Sequence, residues 1–340
     1  MRAGMYYSNN DVRIQEMPVP KIGDGEILVK IHASGICGSD VLEWYRKDKV
    51  PLVLGHEIGA EIAEIGKGIA KYKIGQRIAA AHHVPCNECR FCKAGHASVC
   101  ETLRKTNFTP GGFAEYARLS AIHVDHGIFP LPDNVSYEEA TFVEPLACVL
   151  RGQRAAGMKK NKSVLVIGSG VSGCLHIKLA RALGAELIVA TDINDFRLGG
   201  AKKSGADFAI NAKDYSPDIF KDKNKGLLAD IVIACTGALP AIEQALGSVE
   251  RGGVILFFAP VAQDAAVPVP FNKLFWRNEI TLTSSYAATP DEQKEALRLI
   301  ANKKISVKDL ITHRLPLDKI GEGFRLVAEA KDSLKVIIEP

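Results

Sequence analysis

The chain lacks any long uninterrupted apolar run, any block of basic residues and any repeated or low-complexity segment. Its longest apolar candidate is interrupted by Lys178 and Arg181, so it falls short of the roughly 20 apolar residues that span a bilayer. The first residues also lack the apolar core of a secretory signal. We therefore expect a cytoplasmic protein without a membrane segment.

The chain also has little excess of either charge, because 43 basic and 39 acidic residues leave a formal net charge of only +4. The basic residues are scattered along the chain, which gives no support to nucleic-acid binding. The apolar fraction of 47% is that of an ordinary globular protein, and 340 residues are more than one core usually serves. The sequence therefore predicts two domains.

The pattern of predicted secondary structure changes near Ser136. Before it, β-branched runs at 27–31 and 58–65 are separated by glycine and proline, which predicts a β-rich domain. Ser136 with Glu139 predicts a capping box, and Glu144 is expected in extended backbone because a proline follows it. Strands and helices then alternate, as in a parallel sheet covered by helices. The predicted strands lie at 163–167, 187–191, 230–234, 254–258 and 334–338, and the predicted helices at 172–183 and 290–303.

A glycine-rich turn directly follows the strand at 163–167 and opens a helix. Its glycines permit a tight turn and close approach of the backbone to a pyrophosphate, which the unpaired amides at the helix start would bind. Asp192 ends the next strand and would accept hydrogen bonds from ribose hydroxyls, which favours NAD over NADP. The alternative is a surface aspartate beside a packing glycine. The predicted cofactor-binding residues are Gly168, Gly170, Val171, Ser172, Gly173, Asp192, Arg197 and Thr236.

Four of the eight cysteines form a cluster, at Cys86, Cys89, Cys92 and Cys100. Short spacings let one loop surround a cation, and four thiolates are typical of a closed structural zinc site. An iron–sulfur cluster is the alternative, but the last gap is longer than in a ferredoxin run and no proline follows the final cysteine. A nucleic-acid-binding zinc ribbon would need a basic face that the chain lacks.

A second, looser set of metal-binding residue types consists of Cys37, His56, Glu57 and Glu144. One thiol, one imidazole and one or two carboxylates are typical of a catalytic zinc, which keeps one position for water or substrate. Each residue has a plainer interpretation as a buried thiol, a hydrogen-bonded histidine or a charge at a helix end. The spacings alone do not join them.

These motifs, in this order, resemble those of the zinc-dependent medium-chain alcohol and polyol dehydrogenases along nearly the whole chain. A glutamate in Glu144-Pro145-Leu146, where other alcohol dehydrogenases carry cysteine, makes the chain most similar to the sorbitol and butanediol dehydrogenase branch. The shared elements are Gly35-Ile36-Cys37-Gly38-Ser39-Asp40, Gly55-His56-Glu57, the four-cysteine lobe, Glu144-Pro145-Leu146 and the glycine turn.

The resemblance implies an α/β fold with a GroES-like, β-rich catalytic domain in residues 1–150, whose structural-zinc lobe covers about 85–101. It implies a Rossmann domain with a doubly wound parallel sheet in 151–286, and a return to the catalytic domain in 287–340. It also implies a catalytic zinc on Cys37, His56 and either Glu57 or Glu144, with Ser39 as the proton-relay hydroxyl. The implied activity is reversible, NAD-dependent oxidation of a secondary alcohol to a ketone by a homo-oligomer, a dimer or a tetramer.

Three departures from the family pattern concern the substrate. Leu42 replaces the relay histidine, Glu43 replaces an aromatic residue, and Ser285 replaces a polyol-binding arginine. The substrate therefore stays open among polyols, diols, threonine and other hydroxy compounds. A zinc-free reductase, a cofactor-recycling lyase or epimerase, and a non-catalytic NAD-binding protein are the alternative functions.

Overall fold

The computed structural model describes residues 1–340, which divide into two compact units. One unit consists of Met1–Ala147 with Ala287–Pro340, and the other is the continuous segment Cys148–Tyr286. None of the helices combines the length and the hydrophobicity that crossing a bilayer requires.

The first part of the discontinuous unit is rich in short strands because β-branched runs are punctuated by glycine and proline. The strands β2-β1-β4 form one antiparallel sheet, and β3 and β5 pair antiparallel at the centre of a larger one. Its elements are β1 (Arg2–Ser8), β2 (Asp11–Glu16), β3 (Ile27–Gly35), α1 (Glu43–Arg46), β4 (Leu52–Val53), β5 (Glu57–Ile65), β6 (Arg77–Ala80), α2 (Arg90–Lys93), α3 (Glu101–Lys105), β7 (Tyr116–Leu119), α4 (Ala121–His126), β8 (Ile128–Pro130), α5 (Tyr137–Ala140) and the start of α6 (Val143–Ala155).

The continuous unit is a six-stranded sheet in the order β11-β10-β9-β12-β13-β14, with every pair parallel. The central strands are buried along their whole length, which explains their near-continuous apolar runs. The strand order reverses at β9, and this confirms the predicted doubly wound fold. Its elements are β9 (Ser163–Ile167), α7 (Val171–Ala182), β10 (Leu187–Asp192), α8 (Asp195–Lys203), β11 (Phe208–Asn211), α9 (Pro217–Lys223), β12 (Ala229–Ala234), α10 (Leu239–Gly247), β13 (Val249–Phe257), α11 (Phe271–Phe275) and β14 (Thr281–Ser284).

The C-terminal segment returns to the sheet of the first unit. Its last strand, β16, pairs antiparallel with β3, and the strand order of that sheet is β15-β16-β3-β5-β6-β8 with β7 also on β3. The end of the chain therefore completes a sheet that begins near residue 27. The elements of this segment are α12 (Pro290–Ala301), β15 (Ile311–Pro316), α13 (Ile320–Glu329) and β16 (Lys335–Glu339).

The region around Ser136 contains one confirmed prediction and one that is wrong. Ser136 Oγ accepts a hydrogen bond from Glu139 N–H at 3.2 Å, and Glu139 Oε2 accepts one from Ser136 N–H at 2.9 Å, which completes the capping box. Glu144, however, is not extended, because it lies in the first turn of α6. Pro145 occupies a first-turn position whose N–H needs no partner, and a carboxylate there is stabilised by the helix dipole.

Candidate active site and metal centres

The pairing of β3 with β5 brings three candidate metal ligands together. Cys37 follows the end of β3, His56 directly precedes β5, and Gly35 lies opposite Glu57 in the ladder. The ligand atoms of Cys37, His56 and Glu57 lie within 4.8 Å of one another. A thiolate, an imidazole and a carboxylate at this spacing fit a zinc ion with one position left open.

Asp40 orients the imidazole of this group. Its carboxylate is fully buried, with Oδ1 3.5 Å from His56 Nδ1 and Oδ2 accepting the N–H of Cys37 at 3.0 Å. Burial would raise the pKa of Asp40, but His56, Arg46 and the Cys37 amide outweigh it and lower the pKa. Because Nδ1 faces the carboxylate, Nε2 of His56 is the nitrogen available to a metal.

Lys335, on β16, contacts Glu57 of this group, and the sequence interpretation missed it. Its Nζ donates to Glu57 Oε2, and the two side chains are only 0% and 1% exposed. Nζ also lies 5.3 Å from the centre of the Phe142 ring. Gly35 leaves room for this pair, because a methyl group there would overlap Glu57 Oε2 and Lys335 Cε. The detectable signal was a lysine directly before the apolar run 336–338 of the C-terminal strand.

Glu144 is buried but lies outside the group formed by Cys37, His56 and Glu57. Burial raises the pKa of Glu57, and the charge of Glu144 adds to that effect while Lys335 opposes it. The second carboxylate is therefore close enough to act on the first electrostatically. Metal binding near both would relieve their mutual repulsion.

Ser39 lies directly beside the thiol of the metal group. Its Oγ–H donates to Cys37 Sγ at 3.4 Å, and its carbonyl accepts from Arg46 Nε at 3.3 Å and Nη2 at 3.2 Å. Leu42 precedes α1 and supplies no proton-transfer group. The hydroxyl is thus held in place by contacts on both its side chain and its backbone.

A cluster of histidines packs against His56 and was also missed from the sequence. The His82 ring centre lies 4.6 Å from that of His56 and 3.8 Å from that of His83. His123 Nε2 lies 3.0 Å from the carbonyl oxygen of His82. Burial lowers the pKa of all three additional histidines, and that of His83 falls to about 4.

The four-cysteine lobe forms a second compact group. The sulfur atoms of Cys86, Cys89, Cys92 and Cys100 lie within 4.8 Å of one another. Cys86 Sγ accepts the N–H of Cys89 at 3.4 Å, and Cys100 Sγ accepts the N–H of Cys86 at 3.5 Å. Burial opposes ionisation of Cys100, but backbone N–H donors outweigh it and lower its pKa to about 6. Four thiols with thiolate-stabilising amides fit a closed zinc site.

The glycine turn between β9 and α7 has the shape of a phosphate-binding loop. Gly168 has a φ of +92°, which only glycine adopts without strain, and a methyl group on Gly173 would overlap the Gly168 carbonyl oxygen. Gly170 begins the helix without any side-chain cap. The amides of Val171 and Ser172, in the first turn, are therefore available to an anion.

The remaining predicted cofactor residues surround that turn. Asp192 ends β10, and its two carboxylate oxygens accept the N–H groups of Ser169 at 2.7 Å and Asn194 at 2.9 Å. These bonds fix the carboxylate and leave further lone pairs for hydroxyl donors. A methyl group on Gly170 would lie 3.8 Å from Nη1 of Arg197, whereas Thr236 lies against Gly168. The structure thus brings the predicted dinucleotide-binding residues together.

Comparison with known proteins gives consistent matches over both units. Residues 23–133 match the family model of the alcohol dehydrogenase GroES-like domain, and residues 172–302 match that of the zinc-binding dehydrogenases. Sorbitol dehydrogenase from Gallus gallus is 32% identical, and the match covers 97% of this chain and 93% of that protein.

Two solved structures extend this likeness. The crystal structure of 2R,3R-butanediol dehydrogenase from Bacillus subtilis has a TM-score of 0.87 at 25% identity and covers 100% of this chain and 99% of its own. An alcohol dehydrogenase from Escherichia coli CFT073, crystallised with NADH, has a TM-score of 0.89 at 26% identity and the same coverage of both chains.

Proposed function

Because the chain belongs to the zinc-dependent medium-chain alcohol and polyol dehydrogenases, we propose that Cys37, His56 and Glu57 hold the catalytic zinc of an NAD-dependent oxidation of a secondary alcohol to a ketone. The single observation that carries this assignment is the approach of their ligand atoms to within 4.8 Å. The reaction is reversible, and both directions use the same side chains.

Zinc, when bound, would supply Lewis acidity toward the oxygen of an alcohol or ketone, and NAD⁺, when bound, would accept the hydride, a proton with two electrons, that the alcohol carbon gives up. The protein contributes a thiol, an imidazole and a carboxylate that are fixed before substrate binds. Asp40 holds the His56 ring, and Lys335 holds Glu57. Such fixed partners set the geometry and basicity of metal ligands.

Glu57 is proposed as the third ligand and Glu144 as a neighbouring acceptor. Lys335 occupies Oε2 of Glu57, which leaves Oε1 for the metal. Glu144 lies outside the three-residue group, yet its charge acts on Glu57. A carboxylate so placed is suited to accept a hydrogen bond from a hydroxyl or water in the site.

Ser39 is proposed to take the proton that leaves the alcohol hydroxyl. Its hydroxyl is anchored at Cys37 Sγ, beside the position where the reacting oxygen would bind. A serine hydroxyl both donates and accepts, so it can pass a proton without becoming charged itself. Since Leu42 cannot continue the path, the proton leaves through hydroxyls and water.

The second unit is proposed to hold NAD through its glycine turn. The amides of Val171 and Ser172 would bind the pyrophosphate, with Gly168, Gly170 and Gly173 allowing its approach. We assign Asp192 to the ribose hydroxyls and place Arg197 and Thr236 on either side of the turn. The same glycine geometry that excludes side chains from the turn supports this assignment.

The four-cysteine lobe is proposed to hold a structural zinc on Cys86, Cys89, Cys92 and Cys100. A four-thiolate site needs reduced cysteines, which a reducing compartment such as the cytoplasm preserves, and this supports a cytoplasmic location. The substrate is proposed to be a polyol or diol, as the names of the similar proteins indicate. Family likeness supports a dimer or tetramer.

The test is a Cys37→Ser variant compared with Cys148→Ser, which alters a thiol outside both metal groups. Cys37→Ser should reduce the zinc content from about two to about one per chain and abolish NADH production from secondary alcohols, while NAD still binds. Cys148→Ser should keep both zinc ions and turnover. Near-normal kcat in Cys37→Ser protein that contains one zinc would refute the assignment.

A further inference from the structure

One histidine beside the metal group has no assigned task. His82 belongs to neither set of metal ligands, yet its ring lies against that of His56, with the ring centres 4.6 Å apart. Phe108 approaches the same ring edge-on at 6.2 Å between centres. His82 is 9% exposed, so it is part of the wall around the metal group and not of the outer surface.

The hydrogen bonds of its neighbours set His82 apart. His83 Nδ1 lies 2.8 Å from the Thr106 carbonyl oxygen, and His123 uses both nitrogens, on Ser120 Oγ at 2.8 Å and on the His82 carbonyl at 3.0 Å. His82 Nδ1 is enclosed without a partner, whereas Nε2 is neither enclosed nor hydrogen-bonded. His82 is thus the ring among the three with no hydrogen bond to either nitrogen.

Water can reach His82 Nε2 in the free protein, but a substrate bound beside His56 would shield this nitrogen from water. A polar group kept from water without a partner costs about 1 to 3 kcal/mol, so native proteins rarely retain one without a function. Phenylalanine would fill the same place between His56 and Phe108 without that cost. The choice of histidine therefore indicates a hydrogen-bonding partner that arrives with the substrate.

We propose that His82 is a specificity-determining residue whose Nε2 hydrogen-bonds a second oxygen of the substrate, on a carbon next to the reacting carbon. This inference rests on the proposed function, since it places the reacting oxygen at the metal on His56. Contact between the two rings limits the reach of His82 to atoms close to that oxygen. A ring nitrogen donates or accepts according to its tautomer, so it suits the hydroxyl of a diol or polyol.

The consequence is a preference for vicinal diols over plain alcohols. A site that contains a polar group for a substrate hydroxyl rejects the analogue that lacks this hydroxyl, because its own group is then left unpaired. When a simple alcohol binds against His82, it shields Nε2 from water and offers this nitrogen no hydrogen-bond partner. The substrate class is therefore narrowed to compounds with two adjacent oxygens.

The test compares kcat/KM for 2,3-butanediol with that for 2-butanol, using zinc-loaded protein and NAD. His82→Phe should lower the ratio of the two values about five- to tenfold, through a higher KM for the diol and a lower KM for 2-butanol. His82→Gln should restore part of the ratio because its amide replaces the hydrogen bond. The control His126→Phe changes an exposed histidine of α4 and should not alter the ratio.

The two possible failures are distinguishable. If wild-type protein oxidises secondary alcohols but His82→Phe, with two zinc ions per chain, keeps the wild-type ratio, the role of His82 is refuted and the proposed function stands. If wild-type protein oxidises no secondary alcohol, the proposed function fails. Should His82→Phe lose zinc, visible absorption of cobalt-substituted wild type and cobalt-substituted His82→Leu decides, since leucine cannot hydrogen-bond and equal diol affinities of the two proteins would also refute the role.

Discussion

Replacing Lys335 by methionine should destabilise the metal-free protein strongly, because it leaves the Glu57 carboxylate without its counter-charge. Both side chains are buried, at 0% and 1% exposure, and Nζ donates directly to Glu57 Oε2. Methionine has a similar length and no charge, so the change removes the ammonium group with little loss of packing.

The magnitude follows from the burial of the pair. Removing one partner of a buried ion pair costs about 3 to 5 kcal/mol, because the remaining charge has lost its solvent and its partner together. In the zinc-loaded protein the metal supplies a second positive charge beside Glu57, so the cost should be smaller. The double variant Glu57→Gln/Lys335→Met removes both charges and should recover most of the lost stability in the metal-free protein.

The assay is urea unfolding, followed by the fluorescence of Trp44 in a Trp276→Phe background. Trp44 lies in the same unit as Lys335, and Trp276, in the other unit, is 71% exposed and replaceable. The matched control is Lys331→Met, which breaks an exposed pair with Glu329 at 3.1 Å. It should change the free energy of unfolding by less than about 0.5 kcal/mol.

A small loss of unfolding free energy in metal-free Lys335→Met would refute the dependence of Glu57 on Lys335. If Lys335→Met costs less than about 1 kcal/mol there, the carboxylate does not depend on Lys335 for its charge. A double variant that is no more stable than Lys335→Met would contradict the pairing in a second way. In either case the fixed geometry of Glu57 would need another origin.

Three further predictions concern the second unit. Asp192→Ala should narrow the ratio of kcat/KM with NAD to that with NADP, and an unchanged ratio would remove Asp192 from ribose recognition. Gly173→Ala should weaken NAD binding at least tenfold in a fluorescence titration, because its methyl group would overlap the Gly168 carbonyl oxygen. The control Gly199→Ala lies in α8 with open space around the added methyl group. It should bind NAD normally and raise the free energy of unfolding by about 0.5 to 1 kcal/mol. Burial lowers the pKa of His176 to about 3, so between pH 6.5 and pH 3 the unfolded protein binds a proton on this histidine that the folded protein does not, and stability falls as the pH falls. The urea midpoint of His176→Leu should therefore change less over that window, and an equal slope would contradict this.

Much of the second unit could be predicted from the sequence because its strands are buried on both faces. The run at 163–167 is identical to β9, and α7 begins one residue earlier than predicted. Asp192 ends β10 as expected. Local patterns suffice here since each strand and helix shows its own period. Around Pro145 the local rule failed, because the position of proline in the first turn outweighed the usual effect on the preceding residue.

The candidate metal site was only partly predictable, for a topological reason. Cys37 and His56 are named by motifs, but their approach depends on the pairing of β3 with β5. Lys335 reaches Glu57 only because β16 joins β3, and nothing in the local sequence states that pairing. The role proposed for His82 likewise depends on the contact of its ring with His56. Contacts between side chains that lie far apart in the sequence cannot be predicted from motif spacing.

The pairing of β16 with β3 has a consequence for synthesis of the protein. During translation the N-terminal strands leave the ribosome long before Lys335 and its strand exist, whereas the six-stranded sheet of 148–286 is made from one continuous stretch. That sheet can close first, and the N-terminal strands wait with β3 exposed on one edge. Nascent chains stalled before residue 335 should consequently require chaperones to keep this edge from pairing with other chains.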